Sequence, residues 1–188
     1  MSRVLKLAFA AALGLAATTG PALADDAAKF MANFSGAWQG AGQLLVGPQS
    51  GLKFGCELDG DPSRSQLTFG MSGRCWVGGL SAPVHARLRY NDETQRFYGQ
   101  FMDGAEGSGL DIVGARAGEG FSLQLSRGST QGRLQAEAVG ADQMKVTMFL
   151  REPGGTREMA VAAMRFSRKA SGAPLPGVVT GSVRRNPN

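Results

Sequence analysis

The chain has 188 residues, a formal net charge of +5 and 28 glycines, with two cysteines, one histidine and 7% aromatic residues. Residues 30–167 hold 13 Lys+Arg and 13 Asp+Glu, so the body is neutral and the excess sits at the ends: Arg3, Lys6, Arg168, Lys169, Arg184 and Arg185. A nucleic-acid-binding domain would carry a basic face on its body, so nucleic acid is not an expected partner.

The N-terminus reads as a secretory signal peptide over residues 1–24. Arg3 and Lys6 make the positive start, and an apolar run follows that is too short to span a bilayer. Pro21 is expected to break any helix. Ala22, Leu23 and Ala24 form an A-x-A cleavage site, so the mature chain is expected to begin at Asp25, in the periplasm or outside the cell. The mature chain carries no membrane-spanning segment.

That compartment is oxidising, which points to a disulfide between Cys56 and Cys75. It closes a loop of about 20 residues and contributes about 3 kcal/mol in the chain-entropy picture. A regular hairpin centred near Pro62 would put Cys56 opposite Thr68, so the pairing calls for a long loop or a bulge. No zinc site is expected, because two thiols and His85 make at most three ligands, and a calcium site at Asp59, Gly60 and Asp61 would lack the other ligands of a known loop.

Residues 25–33 are helix-compatible, with Phe30, Met31 and Phe34 tucked against the body. Strands then follow one another: 36–46, 52–59, 66–71 continuing after a break into 74–78, 84–91, 96–103, 109–116, 120–127, 130–139, 143–151 and 157–168. Alternation is clear where Phe121, Leu123 and Leu125 oppose Ser122, Gln124 and Ser126, and where Met144, Val146, Met148 and Leu150 oppose Lys145, Thr147, Phe149 and Arg151. The links are short: Asn91 to Thr94, Ala117 to Glu119, Pro153 to Thr156. The fold class is therefore all-β, an antiparallel up-and-down barrel of about 9–10 strands over residues 34–168 with a short N-terminal helix. Gly40, Gly42, Gly55, Gly70, Gly99, Gly114 and Gly132 lie inside strands, where glycine often marks bulges and corner bends. A flattened sandwich is the other architecture that fits. Residues 169–188, rich in Ser, Gly, Pro and Arg, read as a disordered basic tail.

The stretch Phe34, Ser35, Gly36, Ala37, Trp38, Gln39, Gly40, with its Gly-x-Trp signature before a strand meander, resembles the calycin-like barrels: lipocalins, fatty-acid-binding proteins and nitrobindin-like domains. The resemblance implies a tryptophan closing one barrel end and a small hydrophobic ligand or haem inside. Nitrobindin-like haem ligation uses a late histidine, and none follows His85, so no cofactor is expected. With its leader and two cysteines about 20 residues apart, the chain also looks like a group of small exported β-barrel proteins from alphaproteobacteria, a likeness that brings no activity with it. A third likeness is to periplasmic inhibitors of secreted metalloproteases, which use an N-terminal segment as a plug for the protease.

No catalytic constellation is visible, and no enzyme is expected. His85 shares a polar strand face with Arg87 and Arg89, and no Gly-x-Ser-x-Gly elbow occurs. The glycine-rich run from Gly104 to Gly109 lacks a P-loop lysine and reads as a hairpin turn. Asp59, Asp61, Asp92 and Glu93 read as turn residues. The expected ligand lining comprises Trp38, Phe54, Trp76, Leu88, Tyr90, Phe97, Phe101, Phe121, Leu123, Met144, Val146 and Met148. The expected function is non-catalytic binding of a small hydrophobic ligand in the cell envelope. The competing reading is a protein–protein module, a protease inhibitor or assembly partner, acting through residues 25–34 and the outer loops.

Overall fold

The computed structural model describes residues 20–102, 109–152 and 154–169. Most of the expected leader, most of the glycine-rich run read as a hairpin turn, and the expected tail from residue 170 lie outside the described residues. One helix, α1 (Gly20–Ala32), precedes ten strands: β1 (Gly36–Leu44), β2 (Lys53–Ser63), β3 (Thr68–Val77), β4 (Leu80–Asn91), β5 (Arg96–Met102), β6 (Leu110–Ala117), β7 (Gly120–Arg127), β8 (Thr130–Ala138), β9 (Gln143–Arg151) and β10 (Glu158–Arg168). Every strand pairs antiparallel with its sequence neighbours, and β1 closes on β10, Gly40 opposite Phe166 and Gly42 opposite Met164. Closure leaves no sheet edge to cover.

The turns follow from local chemistry. Links 78–79, 118–119 and 128–129 hold two residues each, and the first of each pair is a glycine at φ near +57°: Gly78, Gly118 and Gly128. A type II′ hairpin demands that conformation at that position. In the link from β4 to β5, Asn91 Oδ1 accepts from the Thr94 amide at 2.8 Å and the Thr94 hydroxyl at 3.0 Å, holding the bend.

Several expectations are corrected. The helix begins at Gly20, not residue 25, and runs across the Ala24–Asp25 bond. Pro21 does not break it, because it lies in the first turn, where a helix has no partner for the missing N–H. Three i→i−3 bonds close the other end, from Asn33, Phe34 and Ser35 to Phe30, Met31 and Ala32. Strand β3 is continuous. Strand β2 runs on to Ser63, so Asp59 and Asp61 stand in a strand rather than a turn. The turn is 64–67, and the register is unbroken from Gly55 opposite Trp76 to Ser63 opposite Thr68. Cys56 therefore faces Cys75 with neither bulge nor long loop. Pro62 is tolerated because β1 stops pairing at Gly60, leaving that side of β2 without a ladder to feed.

The interior glycines are not bulge markers either. The register shift lies between Ala160 and Ala162 in β10, where no glycine stands. Gly40, Gly42, Gly99, Gly114 and Gly132 share the inward side with their large cross-strand neighbours, while Gly55 and Gly70 share the outward side. A Cβ at Gly99 would strike the Arg87 carbonyl, and one at Gly114 the Ser122 carbonyl. These positions let strongly coiled strands approach closely.

One end of the barrel is solid. Phe30, Met31 and Phe34, from α1 and the residues just after it, are 3%, 0% and 1% exposed and enter the barrel end. There Phe30 meets Phe121 at 4.8 Å, Phe34 meets Phe121 at 4.8 Å, and Phe97 meets Phe121 at 5.0 Å, mostly tilted or edge-on. Each such side chain contributes about 1.5–3 kcal/mol by leaving water. Trp38 seals the seam: its Nε1 donates to the Phe34 carbonyl at 3.1 Å, and the Arg168 guanidinium lies 4.2 Å over its ring. Arg168 also donates to the Ser35 carbonyl, to Asn33 O at 2.9 Å and to Ala141 O at 3.0 Å, tying helix exit, β10 and the β8–β9 turn together. Lys169, placed at the start of the expected tail, is still attached. Its amide donates to Ala37 O at 2.8 Å and its Nζ to Glu57 at 2.8 Å.

Candidate ligand cavity

Above the aromatic plug the barrel is hollow. The cavity measures about 670 Å³, within the ~300–1,000 Å³ common for small-molecule sites. The space has a sequence cause. A ten-stranded barrel is wider than the eight-stranded kind that side chains fill. Many inward positions away from the plug also carry small residues: Gly42, Gly73, Ala82, Ala86, Gly132, Ala136 and Ala162. Large residues alternate with them across the ladders, Leu88 beside Gly99 and Leu123 beside Gly114.

The floor is aromatic, with Phe34, Phe69 and Phe121. The walls are aliphatic and sulfur-rich. Leu58, Leu88, Ile112, Leu123, Leu125, Val146, Met71, Met144, Met148 and Met164 all face the space. Among the described residues no polar or charged side chain is buried. The polar side chains of the lining, Gln49, Ser81, Arg127 and Thr130, belong to the far end, at the turns that form the mouth. Apolar side chains there stand in solvent: Leu80 is 77% exposed, Leu150 44% and Leu52 40%.

Cys56 and Cys75 both face the cavity, their sulfurs bonded at 1.97 Å and their Cα atoms 4.0 Å apart. Met164 Sδ lies 3.8 Å from Cys56 Sγ. The disulfide is part of the wall and staples β2 to β3.

Of the residues expected to line a site, Phe54, Leu88, Phe101, Phe121, Leu123, Met144, Val146 and Met148 border the cavity. Trp38, Tyr90 and Phe97 do not, because they are spent on the plug. Tyr90 packs on Phe97 at 5.0 Å, and burial pushes its hydroxyl pKa up. Trp76 touches only the rim. Its indole lies on the outside over Gly55, where a Cβ would come within 2.8 Å of the ring. The sequence reading missed the small residues that make the room and the methionines Met71 and Met164, because it scored bulk rather than space. Parity within each strand was the available signal.

His85 is exposed on the outer face of β4, opposite Ser72 and Met102. Among the described residues no group of three His, Cys, Asp or Glu side chains is placed to hold a metal ion. No helix there is long and apolar enough to cross a membrane.

A closed antiparallel meander with an N-terminal helical plug, a Gly-x-Trp seam and a hollow apolar interior defines a barrel of calycin-like fold. Among solved structures, the S-type phycobiliprotein lyase CPES from Guillardia theta superposes with a TM-score of 0.56 at 11% identity, covering 77% of this chain and 93% of that one. At that identity the likeness is one of fold. No protein-family model matches the sequence, and no curated protein matches it.

Proposed function

We propose that the protein is a non-catalytic, exported binding protein that holds a small hydrophobic ligand inside its barrel. The observation that carries this reading is the cavity: about 670 Å³, apolar from floor to wall, with its polar groups confined to the mouth. A ligand there gains the hydrophobic effect along its whole body and meets no buried polar group that must be satisfied. The fold likeness to a phycobiliprotein lyase supports a barrel that works on something small. The leader, the A-x-A site and the disulfide support export. The layout of leader, Gly-x-Trp and paired cysteines fits an alphaproteobacterial envelope protein.

The inhibitor reading asks residues 25–34 to enter a protease cleft. Phe30, Met31 and Phe34 are buried in the barrel end, so that segment would have to unplug the barrel first. Deleting it does not separate the two readings, because it opens the cavity floor.

The test is titration with a neutral fluorescent probe, 1-N-phenylnaphthylamine, against wild type and Ala86→Trp. Ala86 faces the cavity, so an indole there fills space rather than overpacking a core. The expected result is saturable uptake by wild type, at least tenfold weaker uptake by the variant, and an unchanged melting temperature. Equal uptake by both proteins, or none by either, would overturn the reading.

A further inference from the structure

A second cleft, of about 480 Å³, lies on the outer shoulder of the barrel over β8, β9 and β10. Thr130 and Leu150 line both it and the main cavity, so the two spaces share a rim. The cleft is also lined largely by apolar side chains, Val46, Leu150, Met159 and Val161, but unlike the cavity walls it carries charge. The cleft carries two guanidinium groups, Arg151 and Arg157, together with the hydroxyls of Ser129 and Thr130. Arg127, across the same turn, borders the cavity mouth.

The acids nearby do not cancel these cations. Glu158 is held by Arg133, Nε to Oε2 at 2.8 Å, and more loosely by Arg151 at 3.6 Å. Glu152 is the single carboxylate lining the cleft. Arg151 Nη1 donates to Gln131 at 2.8 Å, which fixes the guanidinium. Its Nε, buried, donates to nothing, and a buried unmade donor is costly until an acceptor arrives. Arg157 is exposed and joins no ion pair among the described residues.

We infer that the ligand is an anionic amphiphile whose apolar body fills the barrel and whose carboxylate or phosphate head turns over the Thr130–Leu150 rim onto Arg151 and Arg157. This rests on the cavity reading and adds a head-group site to it. The guanidinium fork suits both anions, donating to two oxygens side by side. An uncharged ligand of the same length gains only the barrel.

The test displaces the same neutral probe with dodecanoate, dodecyl phosphate and dodecanol at pH 7.5, in wild type, Arg157→Glu and Arg151→Gln. The expected result is that at least one anion binds about tenfold more tightly than the alcohol, and that Arg157→Glu removes the difference while leaving dodecanol unchanged. Arg157→Glu changes an exposed residue and leaves the Gln131 and Glu158 contacts intact, so a fall confined to the anions is not misfolding. A preference for phosphate over carboxylate marks a phospholipid-like head, and the reverse a fatty-acid-like one. Equal binding of all three amphiphiles, or an anion preference that survives both variants, overturns the head-group site and leaves the cavity reading standing. No displacement by any of them, together with no probe uptake, overturns both.

Discussion

At the scale of single residues, the barrel depends on where a side chain is missing. Gly99 stands opposite Leu88 and Ile112, and a methyl there would meet the backbone carbonyl of Arg87. Backbone cannot rotate away as a flexible side chain can. Gly99→Ala should cost about 1–3 kcal/mol, while Gly79→Ala, with open space around it, should stay within about 0.5 kcal/mol. Urea unfolding of the two variants checks the pair, and equal midpoints would remove the close-approach argument. Charge matters at Glu158. The hydrogen bond from Arg133, reinforced by Arg133 and Arg151 charge, holds its carboxyl pKa below the usual range against a desolvation penalty. A depressed folded-state pKa stabilises the fold above the unfolded value, and that stability is lost as pH falls through the folded value. Wild type should therefore lose stability on acidification below the ordinary glutamate range. Glu158→Gln should show a flatter profile there in melting temperature against pH, and parallel profiles would refute the pairing.

At the scale of elements, the hairpin β2–β3 shows how a turn decides a covalent bond. Moving its centre from Pro62 to residues 64–67 brings two cysteines separated by 19 positions into direct opposition. The staple restricts the unfolded chain and should be worth about 3 kcal/mol. The double variant Cys56→Ala, Cys75→Ala should unfold at correspondingly lower urea concentration, and reductant should lower the wild-type midpoint but not the variant's. An unchanged midpoint in the double variant would assign the bond no role in stability. Helix α1 is the other decisive element. It brings its apolar face from outside the sheet and ends the barrel with aromatic rings, so the cavity has a floor.

At the scale of the whole molecule, the proposed leader and the fold overlap. The helix crosses the Ala24–Asp25 bond, yet the contacts that plug the barrel come from Ala27, Ala28, Phe30 and Met31, beyond that bond. Removing residues 1–24 therefore leaves the plug whole. Asp25 would then sit in the first helical turn, where a carboxylate is favoured, and it already pairs with Lys29 at 2.5 Å. N-terminal sequencing of the exported protein should read Asp-Asp-Ala-Ala-Lys. A sequence beginning beyond Phe30 would be incompatible with a plugged barrel, and retention of Met1 would refute the leader.

Ten strands in near-correct positions and their antiparallel order were legible in the chain, because period-two alternation and short glycine turns are local properties; the cysteine pair followed from the expected compartment, while its register did not. Burial of Phe30, Met31 and Phe34 was legible from large apolar residues clustered on a short helix-compatible segment. The split of the large aromatics into plug and wall was not. The Gly-x-Trp resemblance pointed Trp38 to a barrel end, but Phe97 looks no different in sequence from Phe54 and Phe101, and only height along the barrel separates them. The cavity itself is a property of ring closure. Ala86, Ala136, Gly132 and Ala162 lie far apart in the chain and enclose one space only after β1 meets β10. The meeting of Thr130 with Arg151 and Arg157 at the rim likewise comes from strand register, which no local pattern encodes.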